Sequence, residues 1–207
     1  RLKLILSFSG AYLFAITVLH LIPHVYETGG EQVGLFVLGG FLLQILLEQF
    51  SEGIEHGHVH KHSHAHEHVV FPYGIMFSLC LHAFLEGMPM AEGHQDELVI
   101  GIYLHHIPAA FALASVLSQN RLSRRSIVLL LFIFALMSPL GYLFSTELSD
   151  RTNTNLNVYF DRVMGIVIGI FLHISTTILF ESSVDHHYNL KKLVAVISGI
   201  GIALVGF

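Results

Sequence analysis

Charge is scarce in this chain. Only 12% of the 207 residues are Asp, Glu, Lys or Arg, while 53% are hydrophobic; soluble domains carry roughly 25% charged residues. That shortage excludes a separate soluble domain and leaves a polytopic membrane protein, its length spent on spans and short loops. Cysteine is nearly absent as well. Cys80 is the single one, which excludes an internal disulfide and a cysteine-rich metal site. Inside an apolar run it reads as a small core hydrophobe. No nucleotide-binding motif appears, which argues against ATP as a driving force. The His-Glu-x-x-His spacing of zinc proteases is missing too. Neither a signal peptide nor a targeting tail is visible. The chain begins at Arg1 rather than Met, so residues before it are expected to be missing.

What is abundant is histidine. Sixteen His exceed the ten Lys plus Arg. Seven of them, His56, His58, His60, His62, His64, His66 and His68, alternate along a low-complexity stretch (residues 53–69) that reads as a cytoplasmic metal buffer or a plain solvated linker. Six more, His20, His24, His82, His105, His106 and His173, lie in or at the ends of apolar segments.

Seven segments have the length a bilayer crossing needs, about 20 residues: approximately 5–26, 33–52, 70–90, 97–118, 126–145, 158–181 and 190–207. The predicted fold is therefore all-α, a membrane helix bundle forming one domain over 1–207. Basic residues orient it. With Arg1 and Lys3 cytoplasmic, the alternate loops holding Lys61, Arg121, Arg124, Arg125, Lys191 and Lys192 are cytoplasmic as well, and only Arg151 and Arg162 lie outside. The His-rich loop is then inside and the C-terminus outside. The outer loops are acidic, with Glu27, Glu31, Glu92, Asp96, Glu97, Glu147, Asp150 and Asp161. They form either a mouth that concentrates cations or ordinary soluble loops.

Two motifs put ionisable groups at mid-span: His82-Ala-Phe-Leu-Glu86-Gly87 and His105-His106-Ile-Pro108. Such groups are costly in a bilayer and mark ion paths, relays or ligand sites. His82 and Glu86, four apart, share a helix face; they read as metal ligands or as a polar pair joining two helices. Pro108 cannot donate to the Leu104 carbonyl, so a kinked or opened backbone is expected beside the histidines, as at transporter ion sites. Imidazole suits zinc, iron, copper and nickel, and zinc takes three or four N/O ligands. His82, Glu86, His105 and His106 are the candidate set, unless one of the adjacent pair is a spacer.

Weaker signals flank them. His20 and His24 share a face near the outer end of the first span, as an outer metal approach or as interfacial histidines. Glu48 and Glu52 share a face at the inner end of the second span, as release-side ligands or solvated helix-end charges. His173, Thr177 and Glu181 run down one face of the sixth span toward the inside, where a release site is plausible. Gly165-x-x-x-Gly169 points to close helix packing.

These motifs resemble the ZIP (Zrt/Irt-like) family of divalent metal transporters, as a divergent, bacterial-type member in the inner membrane. Its members have eight spans, His-Asn-x-x-(Asp/Glu)-Gly in the fourth, His-Glu-x-Pro-His-Glu in the fifth, and a His-rich cytoplasmic loop between the third and fourth. The resemblance covers the whole chain if Arg1 precedes the second span, and His20-Leu-Ile-Pro23 matches that span's ending. It departs at Ala83, where the family has Asn, at His106 in the acidic position, and at Ala109-Ala110 in place of the final His-Glu. Those losses remove ligands of a two-metal centre and leave one His-rich site. The resemblance implies a 3+2+3 helix arrangement, inward metal movement by alternating access, and frequent homodimers. Zn²⁺ is the expected substrate, with Fe²⁺, Mn²⁺ and Cd²⁺ as further candidates. The lipid bilayer is a partner and nucleic acid is not. His82 and His106 are expected as principal ligands and His105 and Glu86 as additional ones, so His82→Ala or His106→Ala is expected to abolish uptake. An intramembrane zinc hydrolase and a metal sensor that no longer transports are the rival readings.

Overall fold

The computed structural model describes residues 2–30, 32–51, 72–92, 96–120, 122–151, 156–181 and 190–205. Their regular structure is helical throughout. In chain order the helices are α1 (Leu2–Ile16), a π-helical turn (Thr17–Leu21), α2 (Ile22–Gly29), α3 (Val33–Ser51), α4 (Tyr73–Gly87) with a 3-10 extension (Met88–Glu92), α5 (Asp96–Gln119), α6 (Arg124–Arg151), α7 (Leu156–Glu181) and α8 (Leu190–Val205). Six spans among the described residues are long and apolar enough to cross a membrane; α1, the π turn and α2 together make one, Leu4–Gly29. The seventh expected span corresponds to α8, whose 16 described residues make about 24 Å of helix, short of a roughly 30 Å hydrocarbon core.

The apolar residues divide into two cores. One joins α1, α7, α8 and the N-terminal half of α5, through Leu13, Ile16, Leu98, Ile102, Phe171 and Ile174. The other joins α4, α6 and the C-terminal half of α5, through Leu79, Ala83, Ala109, Leu113, Leu117 and Phe134. Helix α5 thus changes partners along its length, and His105 and His106 sit at the changeover.

Glycines set how closely these helices meet. On α3, Gly40 lies on the backbone of Ile166, and on α7, Gly169 lies on Val37 and Phe41, so a methyl group at either position collides with main-chain atoms of the other helix. The Gly165/Gly169 spacing accordingly packs α7 on α3. Helices α4 and α6 meet the same way, Gly87 against Ser138 and Gly141 against Phe84. The opposite faces look outward to lipid. On α3, Leu35, Leu38, Leu42, Leu46 and Phe50 are exposed at the three-to-four-residue spacing of one helical stripe.

One expectation needs correction and another is narrowed. Helix α5 continues through Pro108 as one helix from Asp96 to Gln119, so the proline does not end it. A π turn at Thr17–Leu21 carries His20. Asp161, expected among the outer-loop acids, is only 4% exposed within α7. There its Oδ1 accepts a 2.6 Å hydrogen bond from the Thr28 hydroxyl of α2, so it ties two helices together.

Candidate metal centre

The i,i+4 spacing of α4 and the adjacent pair on α5 converge where the two helices face each other. His82 Nε2 lies 3.0 Å from Glu86 Oε1. The other oxygen, Oε2, lies 2.7 Å from His106 Nε2. One carboxylate therefore bridges two imidazoles from different helices. The His105 ring stands edge-on to His82, with centroids 5.6 Å apart, and the His106 centroid is 6.1 Å from that of His105. Adjacent residues diverge by about 100° on a helix, yet His105 meets the His82 ring and His106 meets Glu86, so both converge on the same carboxylate–imidazole pair.

Burial separates the four. Glu86 and His105 are wholly enclosed, His82 is 1% exposed and His106 is 16% exposed. His82, Glu86 and His105 can each point a ligand atom so that all lie within 4.8 Å of one another. The compact trio thus contains His105, with His106 on the other carboxylate oxygen. Two imidazoles and a carboxylate, kept from water, form a donor set suited to a first-row divalent ion.

The flanking residues sort differently. Glu48 on α3 meets His173 on α7, Oε2 to Nε2 at 3.3 Å, and Phe41 stacks edge-on to His173 at 5.1 Å. Residues read as separate release-side groups are here one contact. His20 is half-buried in the π turn and His24 is exposed on α2. Glu52 and the seven histidines from His56 to His68 lie outside the described residues, as does the side chain of Glu181.

Helix α6 supplies what the motifs did not reveal. Phe134 packs its ring 5.5 Å from that of His106, and the Ser138 hydroxyl donates to the Ala83 carbonyl at 2.9 Å. Neither residue type signals a metal centre in a sequence. The one trace is spacing, since Phe134, Ser138 and Gly141 share a face.

A model of the ZIP zinc transporter family matches residues 54–205, most of the chain and both site motifs. This chain belongs to the ZIP family. Among curated relatives it is 26% identical over 147 residues to protein zntD of Dictyostelium discoideum, covering 66% of this chain and 21% of that protein. It is 26% identical over 164 residues to zinc transporter ZIP9 of Micropogonias undulatus, covering 74% and 52% respectively. The same identity holds for zinc transporter ZIP9-A of Xenopus laevis, at 74% and 53%. The chain spans about half the length, or less, of these relatives. ZIP membership sets the hydrolase reading aside, because the family is one of transporters. This ZIP protein also fills with packing atoms the positions where its motifs depart from the family pattern. Ala83 and Ala109 are buried in the second core, and Ala110 packs against it.

Proposed function

We propose that the chain moves a divalent metal ion, Zn²⁺ foremost, across the membrane through the centre built by His82, Glu86, His105 and His106. The observation supporting this is the convergence of three buried ligand groups from two membrane-length helices. Their imidazole-rich chemistry suits zinc better than magnesium or calcium, which take oxygen ligands. His82, Glu86 and His105 form the inner trio, and His106 is the fourth group. One metal per centre fits Ala83 and Ala109, which offer no ligand atom.

The direction is inward. Basic loops place the His-rich segment in the cytoplasm, where its imidazoles buffer arriving metal. His20 and His24 serve the outer approach, and Glu48 with His173 serves the release side, to which the sequence pattern also assigns Glu52 and Glu181. The centre's position between two apolar cores supports alternating access: a shift of one core against the other exposes the same ligands to opposite sides in turn.

The test is uptake of zinc, iron, manganese and cadmium into proteoliposomes by the wild type, His82→Ala and His106→Ala. Loss of zinc flux in His82→Ala and a clear reduction in His106→Ala are expected, each with helical content and elution volume unchanged. Undiminished flux in both removes the assignment.

A further inference from the structure

Helix α6 is the most lipid-exposed of the spans; only 11% of its most apolar stretch is buried. Among its described residues, Phe134, Gly141 and Ser145 are the buried ones. With half-buried Ser138 between them, they fall on one face at spacings of four, three and four. Two of these positions serve the backbone of α4: Ser138 through its hydrogen bond to Ala83, and Gly141 by lying on Phe84. Phe134 does something else. It is 3% exposed on a helix that otherwise faces lipid, and its ring lies 5.5 Å from His106 at a 54° tilt.

His106 is the member of the centre that needs support. The other three are enclosed, whereas His106 is 16% exposed and held at one ring nitrogen by Glu86. That hydrogen bond fixes where Nε2 sits, while the plane of the ring is set by its ring neighbours: His82 at 6.3 Å, His105 at 6.1 Å and, nearest of the three, Phe134 at 5.5 Å. Such tilted pairs favour particular orientations, and contacts of this kind change equilibria about two- to tenfold.

We propose that Phe134 is a positioning residue: it holds the His106 ring on Glu86 and thereby sets the affinity of the centre for its metal. The proposal rests on the metal-centre reading above. Phe134 touches no ion and acts through His106 alone.

A double-mutant cycle tests it, with Zn²⁺ binding to the purified, detergent-solubilised full chain as the readout. The forms compared are wild type, Phe134→Leu, His106→Ala and the double variant, with Phe134→Tyr as the ring-retaining control. Phe134→Leu is expected to weaken zinc binding about two- to tenfold. In the His106→Ala background the same change should have no further effect, and Phe134→Tyr should recover most of the lost affinity. An equal loss in both backgrounds means that Phe134 acts through general packing, and overturns the proposal. No loss in Phe134→Leu overturns it too. If the leucine variant does not fold, Phe134→Met takes its place: equal affinity in the Met and Tyr variants sinks the idea, since only Tyr keeps the ring. His82→Ala separates this failure from failure of the underlying reading. Wild-type zinc binding in that variant discards the centre itself, whereas lost binding there with an additive cycle discards only the role of Phe134.

Discussion

Two places where histidine meets glutamate in this bundle are built on opposite plans. At the mid-bundle centre, Glu86 is wholly enclosed and reached by His82 and His106 at 3.0 and 2.7 Å. Its helices, α4 and α5, meet there through side chains, at the seam of two apolar cores. The other contact, Glu48 with His173, is longer at 3.3 Å, and Glu48 is 24% exposed. Its helices, α3 and α7, touch backbone to backbone through Gly40 and Gly169. A close-packed helix pair leaves little room for an ion between its faces. A pair that meets through imidazoles and a carboxylate brings ligand atoms within 4.8 Å of one another. The difference teaches that an ionisable residue in a span is a weak guide by itself, and that its meaning depends on how closely the helices around it approach.

Four substitutions probe this contrast. Glu86→Gln should weaken zinc binding the most, by at least about 100-fold, since even partners that merely orient a ligand are worth 10–100-fold; zinc titration of the purified protein measures it. Wild-type affinity in that variant would erase the distinction between the two contacts. Gly40→Ala should destabilise the bundle by about 1–3 kcal/mol, because the added methyl meets the Ile166 backbone. Gly39→Ala, one residue away in open space, is the matched control, and thermal unfolding in detergent compares the two. Equal losses would falsify the close α3–α7 contact. Glu48→Gln should slow zinc uptake three- to tenfold, on the order of 1 kcal/mol, while moving the binding affinity by less than it moves the rate. A larger change in affinity than in rate would make Glu48 part of the binding centre. Ser138→Ala should have the smallest effect, about 1 kcal/mol of stability for the lost hydrogen bond to the Ala83 carbonyl, seen as a lower unfolding temperature. A loss of several kcal/mol there would show that α6 anchors α4 far more strongly than one hydroxyl can.

Much of the fold was legible in the sequence because bilayer physics leaves few options. Apolar runs of span length must be helices when backbone groups have no water to bind, and all seven segments correspond to helices. Gly165 and Gly169 announced a close contact. Pro108 does not end α5, because a single missing donor is a local loss and helix interruption depends on whether neighbours hold the remaining turns. Asp161 was misplaced for a related reason. A carboxylate near a span end reads as a loop charge until a hydroxyl from another helix, here Thr28, is found against it.

The sequence by itself determined that this is a membrane bundle of the ZIP type. It also determined that His82 and Glu86 share a face and that His105 and His106 stand at the same depth, since helical periodicity and span length follow from local order. Only the tertiary structure decided that His106 reaches Glu86, that His105 completes the compact trio, that Glu48 pairs with His173, and that Phe134 closes on His106. Those relations join residues from 19 to 125 positions apart. They depend on the angles and distances at which helices pack, which glycine contacts and the two cores set and which no local pattern encodes. The two mid-span motifs therefore named the chemistry, and the packing of α4, α5 and α6 gave it a geometry.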